Sequence, residues 1–213
     1  LKTLPWFLRD YSPPPMQFNT MIEFKRNWMG FGSSCNQLEL LPNSTLVAMH
    51  IFDVNELATV QVWDWANGQC VKVFALNNEG CKFILGLSEN CFIIALQKIH
   101  HSEDDTGEIE RVTSIIKVLD IHSEECLKQI VIEGEITAIT RVSEFCVAIA
   151  TNTSIQLWDL KSSTCIKTFN ECGVKIATLL TIPEKRILIS GDQGIHGTQN
   201  TIKLWDIDTG NLQ

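Results

Sequence analysis

One five-residue pattern recurs four times along the chain, and no other feature of the sequence limits its fold as strongly. The copies are Val60-Gln61-Val62-Trp63-Asp64, Ile116-Lys117-Val118-Leu119-Asp120, Ile155-Gln156-Leu157-Trp158-Asp159 and Ile202-Lys203-Leu204-Trp205-Asp206. Each alternates apolar and polar residues up to its final pair, the period-two signature of a strand with one buried face. Recurrence of the whole segment means that the chain is built from a repeating unit and has to be read unit by unit.

The rest of the unit repeats as well. A short polar turn follows each copy, then Cys70-Val71-Lys72, Cys126-Leu127-Lys128 and Cys165-Ile166-Lys167, with the Cys always at one offset from the Trp or Leu. In the fourth copy that offset falls on Leu212. Upstream lie two further strand-like runs, such as Ile136 to Val142 and Cys146 to Thr151. They are separated by polar breaks at Pro42-Asn43, Ser88-Glu89-Asn90, Ser143-Glu144 and Pro183-Glu184-Lys185. Turns rich in Asn, Asp and Gly, such as Ala66-Asn67-Gly68 and Asp208-Thr209-Gly210, suit tight hairpins. One unit therefore predicts four antiparallel strands, a to d, with the Trp-Asp pair closing strand c.

On the pairs Trp63/Asp64, Trp158/Asp159 and Trp205/Asp206, with Leu119/Asp120 as a degenerate copy, the chain resembles the WD-repeat family. That resemblance implies an all-β fold, a β-propeller of four-stranded antiparallel blades set radially around a channel. The expected units are 35–76, 77–132, 133–170 and 171–213, after an N-terminal segment 1–34 with a Pro-rich linker at Ser12-Pro13-Pro14-Pro15. Met21 to Arg26 reads as strand d of a preceding blade, and Leu1-Lys2-Thr3-Leu4 is similar to the strand d at Ile166 to Phe169. Propellers close with about four to eight blades, so four units are expected to be part of a ring, with open blade edges available for self-association. The initial Leu and the truncated last strand d fit a sequence cut from a longer one. The family's usual Gly-His pair is replaced by Gly80-Cys81, Gly134-Glu135 and Gly173-Val174. Its buried histidine network is therefore expected to give way to apolar packing.

Composition limits partners and compartment. Of 213 residues, 45% are apolar and 20% charged, which suits a packed globular protein. The 25 acidic against 17 basic residues leave a net charge of −8, which repels a phosphate backbone and argues against nucleic acid. No basic-then-apolar leader or membrane-length apolar run is present, so no membrane association is expected and cytoplasm is the expected address. The eight Cys are read as buried thiols of a reducing compartment, because several stand inside apolar runs such as Cys91 to Ile94.

Residues with catalytic or ligating chemistry are sparse. His100-His101-Ser102-Glu103-Asp104-Asp105 carries metal-ligand types but reads as a solvated loop, and Asp206-Ile207-Asp208 lacks the later ligands of a calcium loop. No nucleophile elbow, phosphate loop or zinc pair appears, so no enzyme activity, metal or cofactor is expected. Trp63, Trp158 and Trp205 are expected in the core. In the family's geometry the d-to-a and b-to-c loops share one face. Their Glu79, Glu103, Asp104, Asp105, Glu133, Glu135, Glu171 and Asp192 make that face a candidate acidic surface for a basic protein or peptide partner. The resemblance implies a non-enzymatic interaction scaffold. A half-ring completed by another chain and a propeller hydrolase, or a domain attached to one, are the alternatives.

Overall fold

The computed structural model describes residues 33–43, 45–52, 58–64, 69–76, 80–101, 109–152, 154–170, 175–193 and 200–213. Strand alternation becomes four separate antiparallel meanders. The first sheet holds β1 (Ser33–Leu40), β2 (Thr45–Phe52), β3 (Ala58–Asp64) and β4 (Gln69–Leu76). The second holds β5 (Gly80–Gly86), β6 (Cys91–His101), β7 (Ile109–Asp120) and β8 (Cys126–Glu133). The third holds β9 (Ile136–Ser143), β10 (Cys146–Thr151), β11 (Ile155–Asp159) and β12 (Thr164–Phe169). The fourth has three strands, β13 (Ile176–Ile182), β14 (Ile187–Asp192) and β15 (Ile202–Asp206), with a single bridge from Trp205 to Leu212 where a fourth strand would pair. In every sheet the repeated Asp is the last residue of the third strand.

The second strand of each sheet is apolar on both faces, so a lone sheet cannot bury it. Phe92 to Leu96 of β6 and Val147 to Ala150 of β10 are fully buried. Face-to-face stacking of successive sheets achieves this. Phe92 and Ile94 join Val47, Val60 and Val62 of the first sheet, while Ile93 and Ala95 on the other face join Val147 and Ile149 of the third. Ala148, Ile155 and Leu157 of the third sheet then pack on Leu188 and Trp205 of the fourth. The first strands lie side by side in chain order, β1 by β5, β5 by β9 and β9 by β13. Gly86 marks one tight approach: a Cβ there would come within 2.6 Å of the Leu41 side chain.

Packing between sheets runs as a row from first to fourth, and among the described residues no closed ring is seen. The segments proposed as closing or preceding strands, Leu1 to Leu4 and Met21 to Arg26, lie outside the described residues. The structure departs from three expectations. His100 and His101 belong to strand β6, paired with Arg111 and Ile109, because the second unit's insertion lengthens its central hairpin before it turns. Three of the six described cysteines are not core thiols either. Cys81 is buried and Cys91 and Cys146 are half-buried, but Cys70, Cys126 and Cys165 are exposed on the outermost strands. The tryptophans also differ among themselves: Trp205 is buried, whereas Trp63 and Trp158 are half-buried.

Trp205 meets Phe169 of the preceding sheet edge-on, with ring centroids 5.6 Å apart, and donates its indole N–H to Ser190 Oγ at 2.9 Å. Trp205→Ala is expected to lower unfolding stability by about 3–5 kcal/mol. Val131→Ala, on an exposed strand face, should change it by less than about 0.5 kcal/mol. Urea denaturation of the two variants checks the contrast.

Candidate functional site

Two ends of the sheet row carry the polar chemistry. At one end are the turns between first and second and between third and fourth strands. There the repeated Asp folds the chain back on itself. Asp120 Oδ1 accepts the N–H groups of His122 and Ser123 at 2.9 and 2.8 Å, Asp159 accepts the Lys161 N–H and the Ser162 hydroxyl, and Asp206 accepts the Thr209 N–H and hydroxyl. Short side chains that bond backbone two or three residues on are the physical basis of such turns. The Ser123 N–H at Asp120, the Ser162 hydroxyl at Asp159 and the Thr209 N–H at Asp206 are the leading causes that hold these carboxyls below the usual range.

The Lys of each Cys-x-Lys segment reaches from the outermost strand of one sheet into the next sheet's turn. Lys72 Nζ donates to His122 O and to Glu124 Oε1, both at 2.8 Å. Lys128 donates to Lys161 O at 3.2 Å, and Lys167 to Ile207 O at 3.1 Å and to Asp208 O. In the same three copies the Cys thiol donates to the carbonyl of that Lys. The recurrence was visible in the sequence. The role of the Lys was not, because its acceptors are backbone carbonyls of another unit.

Between these turns lie two clefts at equivalent places. The first, about 380 Å³, is mixed, with Asp64, Lys72, Asn90 and His122 lining it beside Val71 and Ile121. The second, about 210 Å³, is apolar, with Leu87, Leu127, Phe145 and Leu160, and Lys161 Nζ lies 3.8 Å from the Phe145 ring centroid. The thiol facing the second cleft, Cys91, is raised chiefly by burial, and Cys146 in the next unit is pushed up to about 11 by burial and by the Asp159 carboxylate. Both thiols therefore stay protonated at neutral pH, the state unsuited to nucleophilic attack.

The opposite end carries three of the acidic candidates, Glu133, Glu135 and Asp192. Glu79, Glu103, Asp104, Asp105 and Glu171 lie outside the described residues. The three described ones are already engaged. Glu133 pairs with Arg111 across an exposed strand edge. Glu135 bridges Lys82 and Lys175 at 3.3 Å each and so ties three sheets together. Burial raises its pKa, but the bonds and charges of the two lysines outweigh burial and hold it below the usual range. Asp192 accepts the Thr201 hydroxyl and N–H, which lower its pKa. The described part of this end is charge-compensated: Arg111 was countable in the loop sequence, whereas Lys82 and Lys175 come from strands and turns of other sheets. Where the family's Gly-His pair would stand, Gly134 adopts a φ of 92°. The buried Ser114 hydroxyl donates to Gly134 O at 2.8 Å and accepts the Ile136 N–H at 3.2 Å. A small polar link between sheets thus persists beside the apolar packing expected there. No three His, Cys, Asp or Glu side chains converge as a metal site among the described residues. No helix among them is long and apolar enough to cross a membrane.

The turn aspartates titrate lower folded than unfolded, where an Asp titrates near about 3.9. Their stabilisation is complete above the unfolded pKa and drains as pH falls through the folded values. The melting temperature should drop steadily below about pH 4–5, and Asp120→Asn, Asp159→Asn and Asp206→Asn together should flatten that slope; an unchanged slope would refute the assignment. Lys72→Met is expected to cost about 1 kcal/mol in a urea titration by releasing the second sheet's turn, whereas Lys185→Met, on an exposed turn, should cost less than about 0.5 kcal/mol.

No family model and no curated protein matches this chain.

Proposed function

We propose that the four sheets are blades of a WD-repeat β-propeller and that the chain acts as a non-enzymatic platform for a protein or peptide partner. The observation that carries this reading is the stacking of successive sheets with their first strands side by side and the Trp-Asp or Leu-Asp pair at one place in each sheet. Such neighbour-to-neighbour stacking is what supports a radial arrangement of blades. The step from fold to platform is one of analogy, and it is supported by the rigidity that the buried central strands give to both ends of the row.

The end carrying Glu133, Glu135 and Asp192 is the docking surface in this reading, and cytoplasm is its setting. The exposed Arg111–Glu133 pair is of a kind worth roughly 0–1 kcal/mol, so a basic segment could displace Arg111 at little cost. Glu135, half-buried between two lysines, serves to hold the surface together. Most of the attraction for a basic partner then falls to Glu79, Glu103, Asp104, Asp105 and Glu171.

Panning a displayed peptide library against the immobilised chain tests the proposal. Basic peptides should be enriched at low salt, and neutralising those five residues with Glu133 should weaken capture by at least about tenfold, or 1.4 kcal/mol. Enrichment of peptides without basic character would remove the acidic-surface part of the reading. No enrichment under any condition would remove the platform.

A further inference from the structure

The two ends of the row of sheets are unlike its interior in one respect. At each internal junction, one sheet presents the two apolar residues that precede Trp or Leu in alternation, and the next sheet covers them. Val60 and Val62, Ile116 and Val118, and Ile155 and Leu157 are all buried in this way. The equivalent pair on the fourth sheet is not: Ile202 is 75% exposed and Leu204 is 38% exposed. Leu180 stands beside them at 59%, opposite Ile189 across the β13–β14 ladder. The opposite face of the first sheet is open as well. Leu38 is 52% exposed, whereas its counterparts Ile84 and Leu179 are buried and Ile139 is half-buried, and the neighbouring Leu40 is 63% exposed. Among the described residues no other sheet covers these side chains, and apolar surface of this kind marks a contact face.

We propose that the open face of the fourth sheet seats on the open face of the first sheet in a second copy of this chain, and that the second copy returns the same contact. The occupant is argued from continuity with the interior. Three times within the chain, a face of the Ile202/Leu204 type is covered by a face of the Leu38 type, and a second copy offers the matching face at each end. A two-fold axis makes the two contacts equivalent and closes the assembly. Eight sheets result, within the range of closed propellers. This inference shares with the platform reading only the radial placement of the sheets. Peptide capture by a monomer would leave that reading standing and sink this one.

Sedimentation equilibrium on the 213-residue chain tests it. The expected mass is twice 24.0 kDa. Leu38→Glu and Ile202→Glu, each on a face pointing away from its neighbouring sheet, should each halve the mass while circular dichroism stays unchanged. Mixing the two variants leaves one unblocked pair of faces, so a heterodimer should reappear with weaker association than the wild type. A wild-type chain that stays monomeric at micromolar concentration would overturn the proposal and point to further sheets as the cover. A dimer that survives in either single variant would also overturn it, because like faces or strand edges would then be pairing.

Discussion

The need to bury both faces of each second strand governs the architecture. A strand such as Cys91-Phe92-Ile93-Ile94-Ala95-Leu96 sends alternate side chains to opposite faces. Both sets are apolar, so a sheet with one wet face would leave half of them in water. At roughly 25 cal/mol per Å² of apolar surface, exposing either set would forfeit several kcal/mol per sheet. A stack satisfies both faces at once, and it does so without demanding that the sheets be far apart in sequence. Each core cluster spans two consecutive sheets, so cohesion is passed from neighbour to neighbour. Stability of this kind is close to a sum over units and junctions, which is why the terminal units are where exposed apolar area collects.

Stacking alone leaves the sheets free to slide, and the polar contacts at the two ends limit that freedom. On the turn side, Lys72, Lys128 and Lys167 each reach one sheet forward and bond carbonyl groups. On the other side, Glu135 is gripped by Lys82 from the sheet before and Lys175 from the sheet after, and Gln37 reaches the Ile84 backbone through both its amide atoms. Because the acceptors of the three lysines are backbone carbonyls, those contacts tolerate sequence change in the sheet they touch, whereas the Glu135 pairs depend on both side chains.

Alternation and turn chemistry made the all-β class and the antiparallel hairpins legible, because both are local. Pro42-Asn43 and Ser143-Glu144 read as turns from residue type alone, and β1–β2 and β9–β10 are joined there. What was not legible depends on partners far along the chain. Cys70, Cys126 and Cys165 look like core residues by composition, yet they lie at the exposed beginnings of the outermost strands, whose later residues are the ones a neighbouring sheet covers. The acidity of the loop end was countable in sequence, but Glu135 and Glu133 lost their free charge to lysine and arginine residues from other strands. Ser114 gave no signal at all, since its role depends on Gly134 and Ile136 meeting it across a junction.

The unequal behaviour of the tryptophans has a local cause. A half-buried indole N–H wants an acceptor. Trp63 and Trp158 find one two residues upstream on the same face, at Gln61 Oε1 and Gln156 Oε1. In the other two copies that position is Lys117 or Lys203, and an ammonium cannot accept. One of those copies turns its indole to Ser190 instead. The other has dispensed with the indole, and Leu119, with no N–H to satisfy, is buried against the first sheet. The aromatic ring is therefore conditional on an acceptor nearby, whereas the Asp that follows closes the turn from within its own unit. Asp120, Asp159 and Asp206 accordingly close their turns alike, whether Leu or Trp precedes them.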